Sequence, residues 1–466
     1  MTTLIIAGAI FLSCSSPSKD NPVIDEQGLP AIIVEANTIV LTRASNPIGI
    51  NLNYLRDPDV LRETGSLSLN NALTNFHGNW LRYPGGKKSN YYRFALPPYQ
   101  EVNPQTLGWY ATQRKNDVLD FDEYVTLAAN VNASKYVVVA YDRERINDKT
   151  TTLQEYIDHA VGWVKYANLK GAKVKYWEIG NENWNNFKGS TWPEVVQDLI
   201  EIARAMRAAD AEIKLGTNFD NEEQLNELLK QGGTKLDFVS CSNYYPGTKW
   251  GNLGFKFYEE QPGVGLLMQY ETFKKVTKNL GLHPEFVIAE CNAKQWEGSW
   301  TDLNDTGHAL VCFDLCAQIN QASDITTGMF WNTSWFDTEN NSFNLFTGKN
   351  ELRPNARSVK VWNDFWKPHA VKTESVLGLV TYALKNDSGA LTLFVINKTN
   401  AEKKAAVNIK SSSSYTQNNV QLFAGNSGKD NDRNPALQQK EAVSLKDNKI
   451  SNVSFPAYSI TIIDLK

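Results

Sequence analysis

What most restricts the fold of this chain is a recurrence. Short apolar or alternating runs appear at NPIGIN (46–51), NWLRY (79–83), SKYVVVAYD (134–142), KVKYWEI (173–179), EIKLGTN (212–218), DFVSCSNYY (237–245), EFVIAE (285–290) and ITTGMFWN (325–332). Between them lie segments with helical periodicity and end signals. LQEYIDHAVGWVKYANLKG is closed by Gly171, and TWPEVVQDLIEIARAMRAAD is opened by Thr191 with Pro193 in its first turn. VGLLMQYETFKKVTKNLG and DTGHALVCFDLCAQIN are two more. Strand candidates that alternate with helices over about 320 residues predict an α/β chain with a (β/α)8 TIM barrel, which takes about 250 residues or more with insertions. A doubly wound sheet needs a glycine-rich turn after its first strand. PGVG at 262–265 lacks the third glycine of a dinucleotide loop and PGGKKS at 84–89 the upstream glycine of a phosphate loop, so both read as turns.

The barrel is assigned to residues 46–366. After Trp366 the texture changes to alternating strands split by Asn, Gly, Ser and Lys turns (LGLVTYALKND, ALTLFVINKT, KAAVNIKS, VQLFAG, SFPAYSITIIDLK), which predicts a C-terminal antiparallel β-sandwich over 367–466. The β segment at 31–45 is expected to join it, bringing the two chain ends together beside the barrel. Asp430-Asn431-Asp432 reads as a turn in that sandwich rather than a calcium loop.

The N-terminus MTTLIIAGAIFLSC is apolar but shorter than the roughly 20 residues a spanning helix needs, so residues 1–14 read as a signal peptide. FLSC resembles the lipoprotein signal, whose cysteine becomes the lipid-modified first residue, although Phe11 and Leu12 depart from it and no Lys or Arg precedes the run. That resemblance implies attachment through Cys14, a polar tether at 15–30, and an exported lipoprotein, periplasmic or at the cell surface. The competing reading is an apolar N-terminal strand.

Composition narrows the function classes. A net charge of −4, from 47 Lys and Arg against 51 Asp and Glu, gives no basic footprint for nucleic acid. The five histidines, His77, His159, His283, His308 and His369, show no metal-ligand spacing, and no metal or cofactor is expected. The five cysteines form no disulfide framework; Cys312 and Cys316 read as buried thiols. Aromatic content is high, with 13 Trp, 19 Tyr and 20 Phe, suited both to core packing and to stacking on sugar rings.

In a barrel the C-terminal strand ends face the active site. Those ends carry Arg82 with the turn Pro84-Gly85-Gly86, Asn181-Glu182, Asn243-Tyr244-Tyr245, Glu290 and Trp331. Carboxylates at strand ends four and seven face each other across the mouth. One can protonate a leaving oxygen while the other attacks an anomeric carbon, the double-displacement route of retaining glycosidases. The acid needs surroundings that raise its pKa, and the nucleophile needs donors such as Arg and Tyr, which Arg82 and Tyr244 are placed to supply.

WEIGNE followed by VIAE at a later strand end resembles clan A of the glycoside hydrolases. LRYPGG resembles the LRWPGG turn of α-L-arabinofuranosidases, and DFVSCSNYYP their sixth strand. The resemblance covers about residues 46–366. It implies Glu182 as acid/base, Glu290 as nucleophile, Asn181 on the substrate 2-hydroxyl, Arg82 and Tyr244 on the nucleophile, and Trp331 lining the sugar site. There are departures. Asn183-Trp184 follows GNE where Val-Asp-Gly is usual, Ser242 stands for a common His, and Cys291-Asn292 replaces the Trp after the nucleophile. GNENW and PGGKKSNYYRF suit the agarase and porphyranase branch equally.

The substrate implied is a plant or algal polysaccharide or its oligosaccharides. Trp184, Trp296, Trp300 and Trp335 are candidates for sugar stacking or for ordinary packing, and Glu178 is read as structural. A non-catalytic glycan-binding lipoprotein on the same scaffold is the alternative; two opposed carboxylates, which binding alone does not need, argue against it.

Overall fold

The computed structural model describes residues 24, 28–94, 117–232, 236–244, 254–261, 265–293, 304–335 and 343–466. The signal-peptide and Cys14 expectations lie outside them, as do Tyr245, Trp296 and Trp300. The first strand, β1 (Ala31–Thr42), belongs to a separate sheet. The next eight close a parallel barrel in chain order: β2 (Ile48–Asn51), β3 (Trp80–Tyr83), β4 (Ser134–Val139), β5 (Tyr176–Ile179), β6 (Lys214–Asn218), β7 (Phe238–Tyr244), β8 (Glu285–Asn292) and β9 (Ile325–Phe330). These are the eight runs that periodicity picks out.

Helices between the strands begin where their caps place them. Thr152 and Glu155 form a reciprocal capping box at the head of Leu153–Leu169, and Thr191 with Glu194 does the same for Trp192–Ala209. The first of these buries Tyr156, Ala160, Trp163, Val164 and Ala167, the stripe a helix lays against a barrel wall.

Inside the barrel the two-residue period of the strands makes layers. Trp80, Tyr136, Tyr176, Phe238, Val287 and Met329 fill an apolar floor. Two residues further along their strands stand Arg82, Glu178 and Ser240, all fully buried. The interior therefore changes from apolar to charged within one strand period, on the side towards the strand C-termini.

The second sheet has nine strands. β1 is followed by β10 (His369–Glu374), β11 (Leu379–Lys385), β12 (Leu391–Asn397), β13 (Lys403–Lys410), β14 (Asn418–Ala424), β15 (Ala436–Lys440), β16 (Lys449–Phe455) and β17 (Ser459–Leu465). Their order is β15-β14-β17-β12-β11-β10-β1-β13-β16. β1 thus joins the C-terminal strands, antiparallel to β10 but parallel to β13. Parallel partners cannot share a tight hairpin, and here the whole barrel lies between them in sequence. At β12 both faces of the sheet are covered. Leu391, Leu393 and Val395 of β12 pack within the sheet domain, whereas Phe394 and Ile396 join the barrel's core. A strand buried on both faces reads as a continuous apolar run, as LTLFVIN does.

The helix Thr306–Gln321, buried along most of its length, fastens the two parts. Its Asp314 accepts hydrogen bonds from Tyr382 of β11 at 2.5 Å and from Tyr258 at 2.7 Å. The Asp430–Asp432 turn offers backbone carbonyls to the first N–H groups of this helix, Gly307 to Asp430 at 2.7 Å and Thr306 to Asp432 at 2.8 Å.

Candidate active site

The structure brings Arg82, Asn181, Glu182, Tyr244, Glu290 and Trp331 together at the C-terminal mouth of the barrel. Arg82 is the hub. Its Nε and Nη2 donate to Glu178 Oε2 at 2.9 and 2.8 Å, and Nη2 also to Asn181 Oδ1 at 2.7 Å. Its Nη1 donates to Asn51 Oδ1 at 2.8 Å and to Glu290 Oε1 at 3.0 Å. Those bonds use every N–H a guanidinium has. Burial disfavours the charge, but Glu178 and Glu290 outweigh it and hold the Arg82 pKa above its ordinary value. Glu178, the carboxylate read as structural, also accepts from Ser240 at 2.5 Å. It sits inside the barrel, beneath the mouth.

The two remaining glutamates have different surroundings. Glu290 is 4% exposed and is held from two sides, by Arg82 on Oε1 and by the Tyr244 hydroxyl on Oε2 at 2.6 Å. Burial raises its pKa, while Arg82 and Tyr244 oppose that by stabilising the carboxylate. Glu182 is half-buried and meets only neutral donors, Ser242 at 3.0 Å and Asn185 at 3.1 Å. Burial, then the charge of Glu290, pushes its pKa up to about 8. The backbone at Glu182 is left-handed, with φ +47°, uncommon for a residue with a side chain and found often at functional positions. Ser242 pairs in register with Glu290 across β7 and β8, so one serine places the two carboxylates beside each other.

The turn after β3 is shaped by close approach. A Cβ on Gly85 would lie 1.9 Å from the Leu52 carbonyl oxygen, and one on Gly86 2.0 Å from the Trp331 ring, so both glycines are sterically required. The turn continues as a short 3-10 helix, Lys87–Asn90. There Asn90 exchanges two hydrogen bonds of 2.7 Å with the Asn181 backbone, fixing that strand end from across the mouth. Asn181 is left with a buried Nδ2 that has no partner. Trp331 is nearly buried, and its ring lies 5.5 Å from that of Trp335. Trp184 is half-buried in the turn after Glu182.

Sequence reasoning passed over Asn51, Asn90, Asn185 and Ser240, and treated Ser242 only as a departure. Strand parity with Arg82 and Glu178 would have flagged Asn51 and Ser240. Nothing local marks Asn90. Among the described residues no group of three or more His, Cys, Asp or Glu side chains is arranged to hold a metal ion.

Solved structures share this architecture over more than nine-tenths of the chain. The GH51 α-L-arabinofuranosidase from Thermotoga petrophila RKU-1 superposes with a TM-score of 0.71 at 18% identity, covering 94% of this chain and 100% of that one. The α-L-arabinofuranosidase from Thermotoga maritima in an arabinose complex gives 0.70 at 18%, covering 93% and 99%. A Paenibacillus polymyxa xyloglucanase of glycoside hydrolase family 44 gives 0.61 at 12%, covering 94% and 99%. The chain has the arabinofuranosidase fold. No protein-family model and no curated protein matches the sequence, and at these identities the structural likeness establishes the fold alone.

Proposed function

We propose that the protein is a retaining glycoside hydrolase of the clan A type, acting on a plant or algal polysaccharide or its oligosaccharides, with Glu182 as acid/base and Glu290 as nucleophile. The observation that carries this reading is the asymmetry of the two carboxylates. One has a guanidinium and a phenol to keep it ionised; the other has only neutral donors and a pKa near 8. Burial raises both carboxyls, but only Glu290 is bonded to a cation and a phenol that oppose the rise, the difference in surroundings that nucleophile and acid roles require.

In the first step Glu290 attacks the anomeric carbon while Glu182 gives its proton to the departing oxygen. The glycosyl–Glu290 ester forms and the glycosidic bond breaks. In the second step Glu182, now a carboxylate, takes a proton from water. The water attacks the same carbon and releases the sugar with retained configuration and Glu290 free. Asn181 Nδ2, its orientation set by Arg82 on the neighbouring oxygen, is free to donate to a sugar hydroxyl. The fold neighbours are named for arabinofuranosides, xyloglucan and, in a GH30 case, xylan, which supports a plant-wall substrate. Asn183-Trp184 after the acid suits an agarase-like or porphyranase-like site as well.

Glu290→Gln is expected to abolish turnover of every glycoside. Glu182→Ala should lose about 10²–10⁴-fold on poor leaving groups and far less on activated ones. Azide added to the latter variant should yield a glycosyl azide of retained configuration. Full activity in Glu290→Gln would overturn the assignment. We further propose lipid attachment at Cys14; mass spectrometry of the N-terminal peptide, with release of the Cys14→Ala protein from membranes, tests it.

A further inference from the structure

Lys88 has no role in the chemistry above, yet it stands in the wall of the same site. It comes from the 3-10 turn beside Gly86 and is fully buried. Its ammonium lies 5.1 Å from the ring centre of Trp331 and 5.0 Å from that of Trp335. It makes no hydrogen bond. A buried ammonium without an acceptor is a costly arrangement, and aromatic faces compensate only part of the lost hydration. Among the described residues, the carboxylate outside the reaction pair that acts on Lys88 is committed elsewhere. Asp57 accepts from the Asn53 N–H at 2.7 Å, from Arg62 at 3.0 Å and from Thr333 at 2.8 Å.

A second donor beside Lys88 is also unanswered. The indole N–H of Trp331, on a ring that Lys88 faces, is buried and has no partner. With Asn181 Nδ2, these are three buried donors at the mouth without acceptors among the described residues, and one is an amine able to carry a full charge.

We propose that Lys88, with the Trp331 indole N–H, is the receptor for an anionic substituent, a carboxylate or a sulfate ester, on the sugar held over Glu290. This rests on the hydrolase reading and narrows its substrate class to acidic glycans: uronate-bearing or sulfated chains rather than neutral ones. An incoming oxyanion supplies the missing acceptors, and the long lysine stem lets the ammonium turn to meet it. Without such a partner the amine loses its charge readily, because burial lowers the Lys88 pKa to about 7, against the opposing influence of Asp57 and Glu290 and with that of Arg82. An anion that restores the charge raises that pKa again. Binding at pH 8 therefore takes up a proton, and affinity for acidic glycans falls as pH rises past 7.

The test is calorimetric binding to the wild-type chain and to Lys88→Met. The probes are uronate-containing and sulfated oligosaccharides, each beside its carboxyl-reduced or desulfated form, plus inorganic sulfate. The wild type should bind at least one acidic glycan roughly tenfold to a hundredfold tighter than its neutral form, with proton uptake. Whether uronate or sulfate ester shows the preference identifies the group. Lys88→Met should lose both the preference and the proton uptake, keep its affinity for neutral forms, and melt no lower than wild type. Equal preference in the two proteins, or none in wild type, overturns the proposal. So does sulfate alone binding as tightly as the glycan. A lower melting point with uniform loss of affinity would make the lysine a prop for the two tryptophans and overturn it too. If Lys88→Met loses acidic binding while the wild type cleaves no glycoside, the receptor stands and the hydrolase reading fails.

Discussion

The barrel floor and the layer above it are built from the same strands, one period apart, and they hold together for different reasons. Trp80, Tyr136, Tyr176 and Phe238 meet ring against ring, with Trp80 and Tyr176 at 5.3 Å and Tyr176 and Phe238 at 5.7 Å. Their burial is favourable wherever the shapes fit. Arg82, Glu178, Ser240 and Glu290 gain little from burial and stay in place because each charge is answered by a neighbour. The floor supplies stability; the layer above spends some of it to hold carboxylates beside a cation in a dry place. Substitutions in the two layers should separate these effects.

Arg82→Met should do the most damage. It leaves Glu178 and Glu290 without their cation, costing about 3–5 kcal/mol of stability. Activity should fall about 10²–10³-fold in protein that remains folded, as when a preorganised donor is lost. Denaturant unfolding and kcat/KM on one sample check both. Phe238→Ala should cost about 3–5 kcal/mol through the cavity it opens. Below its melting point its kcat/KM against pH should superimpose on wild type; a displaced profile would dissolve the division between the layers.

Tyr244→Phe removes one donor from Glu290. The expected loss is about 10- to 100-fold in kcat/KM, the worth of a hydrogen bond to a charged group. Because Tyr244 lowers the Glu290 pKa, the acid limb of the pH profile should move upward. Ser242→Ala should be mildest. The serine lowers the Glu182 pKa, so its loss should move the alkaline limb, set by Glu182 at about 8, higher still, by less than about one pH unit. Stability should show the same protonation. Glu182 has a folded pKa raised above its unfolded value, so its contribution is complete below the ordinary carboxylate range and is lost as pH rises towards 8. Glu182→Gln should flatten that part of the curve.

Much of this was legible in the chain because it is written in local periods. Alternation marked the strands, capping residues marked the helix starts, and the polar clusters after apolar runs marked the mouth. Other features were hidden because they join residues far apart. Glu178 reads as structural, but its partner Arg82, 96 residues earlier and two strands away, has no mark in the local sequence. Asn90 reaches Asn181 only because the turn after β3 folds over the mouth. Lys88 sits in a run, PGGKKS, that reads only as a turn, and the tryptophan rings it faces show where it goes. The parallel β1–β13 pair was unreadable for a similar reason: pairing direction across the whole barrel leaves no trace in either strand's own pattern.

The saturated guanidinium also has a consequence for how the barrel is assembled. Its partners arrive on β2, β5 and β8 and just past β5, while the arginine itself rides on β3. A slip of one residue on any of these would turn a partner outward and strand a cation in the middle of the molecule. Arg82 therefore acts as a lock with several wards, one that admits only the alignment in which the mouth is complete.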